Sequence, residues 1–152
     1  MGRRINTYLV WIACVAGLLV LLSCEQAPEP RDPAVQLALS EPCDVQLGCR
    51  AGNESLTATV IFGTDPRALQ PFPVKVLLET GDQVDSVTLV FSMQGMDMGW
   101  NRYSLGGDSM GAWNAIVTLP ICSTRRTDWI ADFDVLAAGR HYRLQVPFAL
   151  GK

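Results

Sequence analysis

Residues 128–148 read DWIADFDVLAAGRHYRLQVPF, and the alternation within this stretch decides the fold. Apolar side chains occupy every second position of two runs, and mostly polar side chains lie between them. Because successive side chains of a β-strand point to opposite faces of a sheet, this period of two predicts two strands that each bury one face. The inward-facing residues are expected to be Trp129, Ala131, Phe133 and Val135, then Tyr142, Leu144, Val146 and Phe148.

The same pattern extends upstream, where Gly, Pro and Asp mark the breaks. Strands are predicted at 55–62, 74–79, 87–93, 100–105 and 113–119, and no helical periodicity is convincing after residue 42. About seven short strands, separated by turn residues, are typical of an antiparallel sandwich. The prediction is therefore an all-β, immunoglobulin-like antiparallel β-sandwich over residues 55–152. A small barrel has the same sequence pattern and stays open as an alternative.

The first 23 residues have the composition of an export signal. Arg3 and Arg4 precede an apolar run over residues 8–22, and no acidic residue occurs before Glu25. The sequence Leu-Leu-Ser-Cys at 21–24 resembles a bacterial lipobox, which predicts cleavage after residue 23 and a lipid on Cys24. The alternative is a single membrane-spanning anchor, since the run is close to the shortest length for a span.

Cleavage would leave a lipid-anchored chain on the periplasmic side of the bacterial cell envelope. Removal of residues 1–23 leaves 10 basic against 15 acidic residues, and this acidic balance argues against a nucleic-acid partner. The lipid supplies membrane attachment. The absence of Asp after Cys24 slightly favours the outer membrane, by analogy with enteric sorting rules. Residues 24–54 are expected to form the lipidated cysteine, a Pro-rich tether over 25–42 and a cysteine loop.

The remaining cysteines are Cys43, Cys49 and Cys122. In an oxidising compartment Cys43 and Cys49, with five residues between them, are expected to form a disulfide. The alternative is a dithiol that binds a metal or exchanges electrons. Cys122 is the odd thiol, and a buried apolar role for it is at least as reasonable as chemistry.

Three of the five methionines lie within six residues, at Met93, Met96 and Met98. Thioether sulfur is a soft ligand that suits Cu(I) better than Zn, Mg or Ca. Met96 and Met98 are two residues apart, so on an extended segment both sulfurs point to the same side, and Asp97 points to the other. Met93 can reach the same spot if Gly95 bends the chain, although it also continues a core face. The alternative is that all three only pack.

Cys122 or His141 could complete a Cu(I) site with these thioethers. His141 is the only histidine, so a blue-copper site, which needs two His and a Cys, is excluded. The spacing of Cys43, Cys49, Cys122 and His141 matches no zinc finger. A solvated His141 at the start of a strand is the simpler alternative.

The segment Gly107–Gly111 fits the G-x-S-x-G pattern, with acidic residues and His141 downstream. A nucleophile elbow lies between a strand and a helix of a large α/β fold, whereas residues 113–119 read as a strand and the chain is short. Turn chemistry explains the glycines better. The sequence therefore predicts that the protein is not an enzyme.

Several motifs together resemble one family. They are Met96-Asp97-Met98-Gly99-Trp100-Asn101-Arg102-Tyr103, Leu119-Pro120-Ile121-Cys122, Arg126-x-Asp128-Trp129 and Val146-Pro147-Phe148. Over roughly residues 55–150 the chain resembles the small exported β-sandwich proteins of YtkA/FixH-like type, some of which are similar to accessory factors for copper delivery and cytochrome oxidase assembly. The resemblance implies Met96 and Met98 as ligands and Cys122 as a third. Many such proteins carry more His beside the Met cluster, so its absence here favours Cu(I) or no metal over Cu(II).

Two main hypotheses follow. In the first, the lipoprotein binds Cu(I) and passes it to a cytochrome oxidase subunit in the membrane or to a thiol copper chaperone. In the second, it is a metal-free protein-binding module, and its Gly95–Tyr103 loop contacts a partner, since Met and aromatic residues are enriched in interfaces. A third, less favoured hypothesis is a thiol–disulfide factor that uses Cys43 and Cys49.

Overall fold

The computed structural model describes residues 33–63, 66–96, 98–99, 101–108, 110–122, 124 and 126–150. The predicted signal segment, the lipidation site Cys24 and the first part of the predicted tether lie outside the described residues. Among the described residues there is no helix that is long and apolar enough to cross a membrane.

The regular structure of the described residues consists of strands only. They are β1 (Val35–Gln36), β2 (Ala38–Leu39), β3 (Cys49–Gly52), β4 (Leu56–Phe62), β5 (Pro71–Thr80), β6 (Val84–Ser92), β7 (Arg102–Ser104), β8 (Gly106–Gly107), β9 (Ala112–Thr118), β10 (Asp128–Ala137) and β11 (Arg140–Ala149). One sheet has the order β1-β11-β10-β6-β7, and the other has the order β2-β3-β4-β5-β9-β8. All pairings between these strands are antiparallel except that of β1 with β11.

The prediction of an all-β sandwich is confirmed, because the two sheets are separate and enclose one core. The seven predicted strands correspond to β4, β5, β6, β7, β9, β10 and β11. Every residue predicted to face inward on β10 and β11 is buried. The immunoglobulin-like topology stays a prediction.

Four short strands, β1, β2, β3 and β8, are not predicted by the sequence. Strands β1 and β2 fall inside the segment 25–42 that is expected to be a tether. Between them Leu37 is buried, and its N–H donates to the Arg143 carbonyl at 2.8 Å. The chain therefore crosses from one sheet to the other at this leucine, and the sandwich begins well before residue 55.

Two segments outside the predicted strands also pair in the sheets. Residues 50–52 belong to β3, and a turn begins at Asn53, whose Oδ1 accepts the N–H groups of Ser55 and Leu56, each at 2.9 Å. Gly106 and Gly107 pair with Asn114 and Trp113 as β8. Two glycines carry no side chains, so no alternation could reveal this strand.

Aromatic rings join the two sheets at one end of the sandwich. Phe91 on β6 and Phe148 on β11 come from one sheet, and Phe62 on β4 and Phe72 on β5 come from the other. Ring centroids lie 5.1 Å apart for Phe62–Phe148 and 6.2 Å apart for Phe72–Phe91. Tyr103 on β7 extends the group, with its ring centroid 6.1 Å from that of Phe91. Phe91 therefore contacts rings from both sheets, two residues before Met93.

Replacing Phe91 with alanine should lower the free energy of unfolding by about 3–5 kcal/mol, because it removes a buried ring and leaves a cavity between the sheets. Chemical denaturation followed by tryptophan fluorescence measures this loss. The control is Ile116→Ala on β9, whose side chain is 67% exposed. That change should alter stability by no more than about 0.5 kcal/mol. Equal losses in the two variants would contradict the central role of the aromatic rings.

Candidate functional site

The methionine turn, residues 93–99, starts where β6 ends. Met93 follows Ser92 and is only 2% exposed, on the same buried face as Leu89 and Phe91. The structure thus places Met93 in the core, as one of the two sequence interpretations expected. It can support the site above it, but its side chain is not accessible from solvent.

The chain reverses direction immediately after Met93. The Met96 N–H donates to the Met93 carbonyl at 3.0 Å, and Gly95 has a φ of +72°, a left-handed conformation that favours glycine. Met96 and Met98 are both half-buried and pack against the core. Asp97 lies outside the described residues, so its predicted orientation stays a prediction. The result is a turn that keeps two thioether side chains at the boundary between core and solvent.

Asn101 closes the base of this turn. Its Oδ1 accepts the Phe91 N–H at 2.7 Å, and its Nδ2 lies 3.4 Å from the carbonyl oxygens of Met98 and Gly99. The side-chain amide thus accepts a hydrogen bond from the Phe91 N–H near the end of β6 and lies against the carbonyls of the last two residues of the methionine turn. One residue fixes both ends of the loop.

Cys122 follows the end of β9 and is a free, half-buried thiol. Its Sγ lies 3.0 Å from Thr124 Oγ1. The pKa of Cys122 is lowered first by this side-chain hydrogen bond, then by the backbone N–H groups of Thr124 and Arg126 and by the charge of Arg126, while burial opposes them. These contacts favour the thiolate, which is the form that binds metals.

Arg126 connects the methionine turn with the cysteine segment, the stretch 119–124 that follows β9 and carries Cys122. Its Nη1 donates to the Gln94 carbonyl at 3.1 Å, and its Nε donates to Asp128 Oδ1 at 2.9 Å. Its Nη2 also donates to Asp128, and the guanidinium lowers the pKa of this carboxyl. The structure therefore brings Met96, Met98 and Cys122 to the same end of the sandwich.

His141 lies at the other end. It pairs with Leu136 in the β10–β11 ladder, whereas Ile130 of β10 pairs with Ser92 beside the methionine turn. Six residues along a strand, at about 3.4 Å each, separate these positions by about 20 Å. Its Nδ1 also lies 2.8 Å from Asp134 Oδ1. His141 is therefore not brought together with Met96, Met98 and Cys122, and its side chain has a hydrogen-bond partner in Asp134 rather than solvent alone.

Cys43 and Cys49 form the predicted disulfide. It closes a loop in which Asp44 Oδ1 accepts the Gln46 N–H at 2.8 Å, and the Val45 carbonyl accepts the Phe62 N–H at 2.6 Å. Cys49 is fully buried. A buried sulfur is poorly accessible to an attacking thiolate, which argues for a structural bond rather than for a thiol–disulfide factor.

The donor set at the methionine turn fits a soft metal ion. In the part of the chain that the structure describes, no three residues among His, Cys, Asp and Glu form a metal-binding group. Two thioethers and one thiol lie at the same end of the sandwich. Thioether and thiolate sulfur are soft donors of the kind that Cu(I) prefers, so these three side chains fit Cu(I).

The G-x-S-x-G segment lies between two strands. Gly107 belongs to β8 and Gly111 precedes β9, while Ser109 lies outside the described residues. Asp108 Oδ1 accepts the N–H groups of Met110 and Ala112 at 2.9 Å each, which stabilises a hairpin turn. The pKa of Asp108 is lowered by these two backbone hydrogen bonds. The segment therefore lacks the strand-to-helix setting of a nucleophile elbow.

Sequence reasoning misses the roles of Asn101 and Arg126. Asn101 is a single polar residue beside a predicted strand, and nothing local indicates that it bonds to Phe91. The pair Arg126 and Asp128 is visible as opposite charges on the same side of an extended segment. That spacing could have indicated an ion pair, but not the bond to Gln94.

Comparison with protein-family models, with characterised proteins and with solved structures gives no match for this chain. The resemblance to YtkA/FixH-like proteins therefore stays a prediction that rests on its sequence motifs.

Replacing Asn101 with aspartate should loosen residues 94–99 while leaving the Phe91 amide protected. Aspartate keeps the oxygen acceptor for Phe91, but it places a second oxygen near the Met98 and Gly99 carbonyls. Asn101→Ala should expose the Phe91 amide as well and lower stability by about 1–3 kcal/mol, since a buried N–H loses its partner. Amide hydrogen exchange measures both effects. Equal protection of Phe91 in the two variants would contradict this assignment.

Proposed function

We propose that this protein binds Cu(I) through Met96, Met98 and Cys122 and passes the ion to a partner on the extracytoplasmic side of a membrane. One observation carries the proposal: two half-buried thioethers and a free thiol lie at the same end of the sandwich, linked through Arg126. Fully buried sulfur would be inaccessible, and fully exposed sulfur would have no fixed geometry. Half-burial suits a site that must both hold and release its ion.

The chemistry of the three side chains supports transfer rather than storage. Thioethers are neutral, so they contribute soft donor atoms without a net negative charge. Cys122 supplies the charge, and because its pKa is lowered, a larger part of it is thiolate at neutral pH than in an ordinary cysteine. Cu(I) therefore competes with fewer protons at this sulfur, while the two thioethers keep the site labile.

The proposed cellular setting comes from the sequence. A lipid on Cys24 would anchor the chain to the periplasmic side of the envelope, and the motif resemblance favours copper delivery for cytochrome oxidase assembly. The recipient would then be an oxidase subunit or a thiol copper chaperone, since both bind Cu(I) with soft ligands. The proposal assigns no catalytic step to the chain.

A competition titration against a chromogenic Cu(I) chelator under reducing conditions tests the proposal on the chain without residues 1–24. The wild-type protein should withdraw one equivalent of Cu(I) from the chelator. The double variant Met96→Leu/Met98→Leu should bind at least about tenfold more weakly, because leucine keeps the apolar contact and removes sulfur.

The matched control is Met110→Leu. Met110 is 87% exposed in the hairpin that joins β8 to β9, away from the methionine turn. Its replacement should leave Cu(I) binding unchanged. If the chelator keeps all the copper in the presence of the wild-type protein, the copper proposal is wrong.

A second candidate function, a metal-free protein-binding module, is favoured by two exposed apolar side chains. Ile121, immediately before Cys122, is 63% exposed. Leu69 is 60% exposed and has a φ of +60°, and its N–H donates to the Leu119 carbonyl at 2.9 Å. A leucine in this strained conformation that is also exposed is consistent with a contact surface. Partner binding should survive the two Met→Leu changes, and that outcome separates the two functions.

A further inference from the structure

Arg126 occupies the junction of the two sulfur-bearing segments. Its guanidinium bonds to the Gln94 carbonyl, which precedes it by 32 residues and lies in the methionine turn. Its own backbone N–H and its charge act on the sulfur of Cys122, four residues earlier. The side chain is 37% exposed, so it lies at the surface of the site.

The methionine turn needs such a link because the sheet no longer supports it. The ladder between β6 and β10 ends at the pair Ser92–Ile130, before the turn begins. Asn101 ties the turn to its own strand, but not to the cysteine segment. Arg126 supplies the connection across the chain, and two bonds to Asp128 at the start of β10 fix the direction of its guanidinium.

We propose that Arg126 is the positioning residue of the sulfur site. By binding the Gln94 carbonyl while its backbone borders Cys122, it holds the methionine turn against the cysteine segment, so that thioethers and thiol bind one Cu(I) ion together. Without this bond the two segments move independently, and the thiol and the thioethers act as separate, weaker ligands. This inference rests on the proposed function for its role in metal binding, but not for its role in holding the turn.

The test compares Arg126→Leu, Arg126→Lys and Arg143→Leu. Leucine keeps part of the apolar stem and removes every side-chain hydrogen bond without adding a thioether, while lysine can still reach the Gln94 carbonyl but cannot bind Asp128 in the same forked way. Arg143 is the matched control, because its Nε also binds a β10 carboxylate, Asp132, at 2.8 Å. That ion pair lies on the same sheet and makes no contact with the methionine turn among the bonds that the structure describes.

Hydrogen exchange of residues 94–99 is measured on the metal-free protein, and Cu(I) affinity is measured by chelator competition. Arg126→Leu should increase exchange in the turn and weaken Cu(I) binding by about tenfold, Arg126→Lys should restore part of both, and Arg143→Leu should change neither. Unchanged exchange in Arg126→Leu, or an equal loss of affinity in Arg143→Leu, would overturn the assignment. Failure of the wild-type protein to bind Cu(I) would refute the proposed function, whereas the exchange result would still decide whether Arg126 holds the turn.

Discussion

The packing of aromatic rings between the two sheets is the contact on which the candidate site depends. Phe91 and Phe148 of one sheet meet Phe62 and Phe72 of the other near the ends of their strands. Large rings bury much apolar area and prefer fixed relative orientations, so they set the distance between the sheets at this end. Met93 continues the same buried face, and the turn above it therefore starts from a rigid base.

Beyond that base, side-chain hydrogen bonds rather than strand ladders hold the backbone of the segments that carry Met96, Met98 and Cys122. Asn101 bonds to the end of β6 and approaches two carbonyls of the loop, and Arg126 joins the loop to the segment that carries Cys122. A site held by a few side-chain bonds can open at low cost, because its local stability is lower than that of the core. Such an arrangement is consistent with a site that receives a metal ion and gives it up again.

The period-two pattern of residues 128–148 is sufficient to predict the fold class and the buried faces of β10 and β11. In a strand with one buried face every second side chain is buried, so the alternation of apolar residues identifies that face directly. It could not reveal β8, which consists of two glycines, or β1 and β2, which are too short to alternate. The Cys43–Cys49 disulfide followed from close spacing.

By contrast, the distance between His141 and the methionine turn depends on the register of β10 with both its neighbours, and the role of Arg126 depends on a contact across 32 residues. Non-local geometry of this kind leaves no local signal in the sequence.

The most direct test of the central claim is X-ray absorption spectroscopy at the copper edge on the protein loaded with one equivalent of Cu(I). The ligand shell identifies the donor atoms independently of affinity. A shell made only of sulfur, which loses part of its sulfur scattering in the Met96→Leu/Met98→Leu variant, is the result that the copper proposal predicts. The multiple scattering of an imidazole ring would show that His141 is a ligand, and a shell unchanged by loss of the two methionines would place the ion elsewhere. Either result would contradict a site built on the methionine turn.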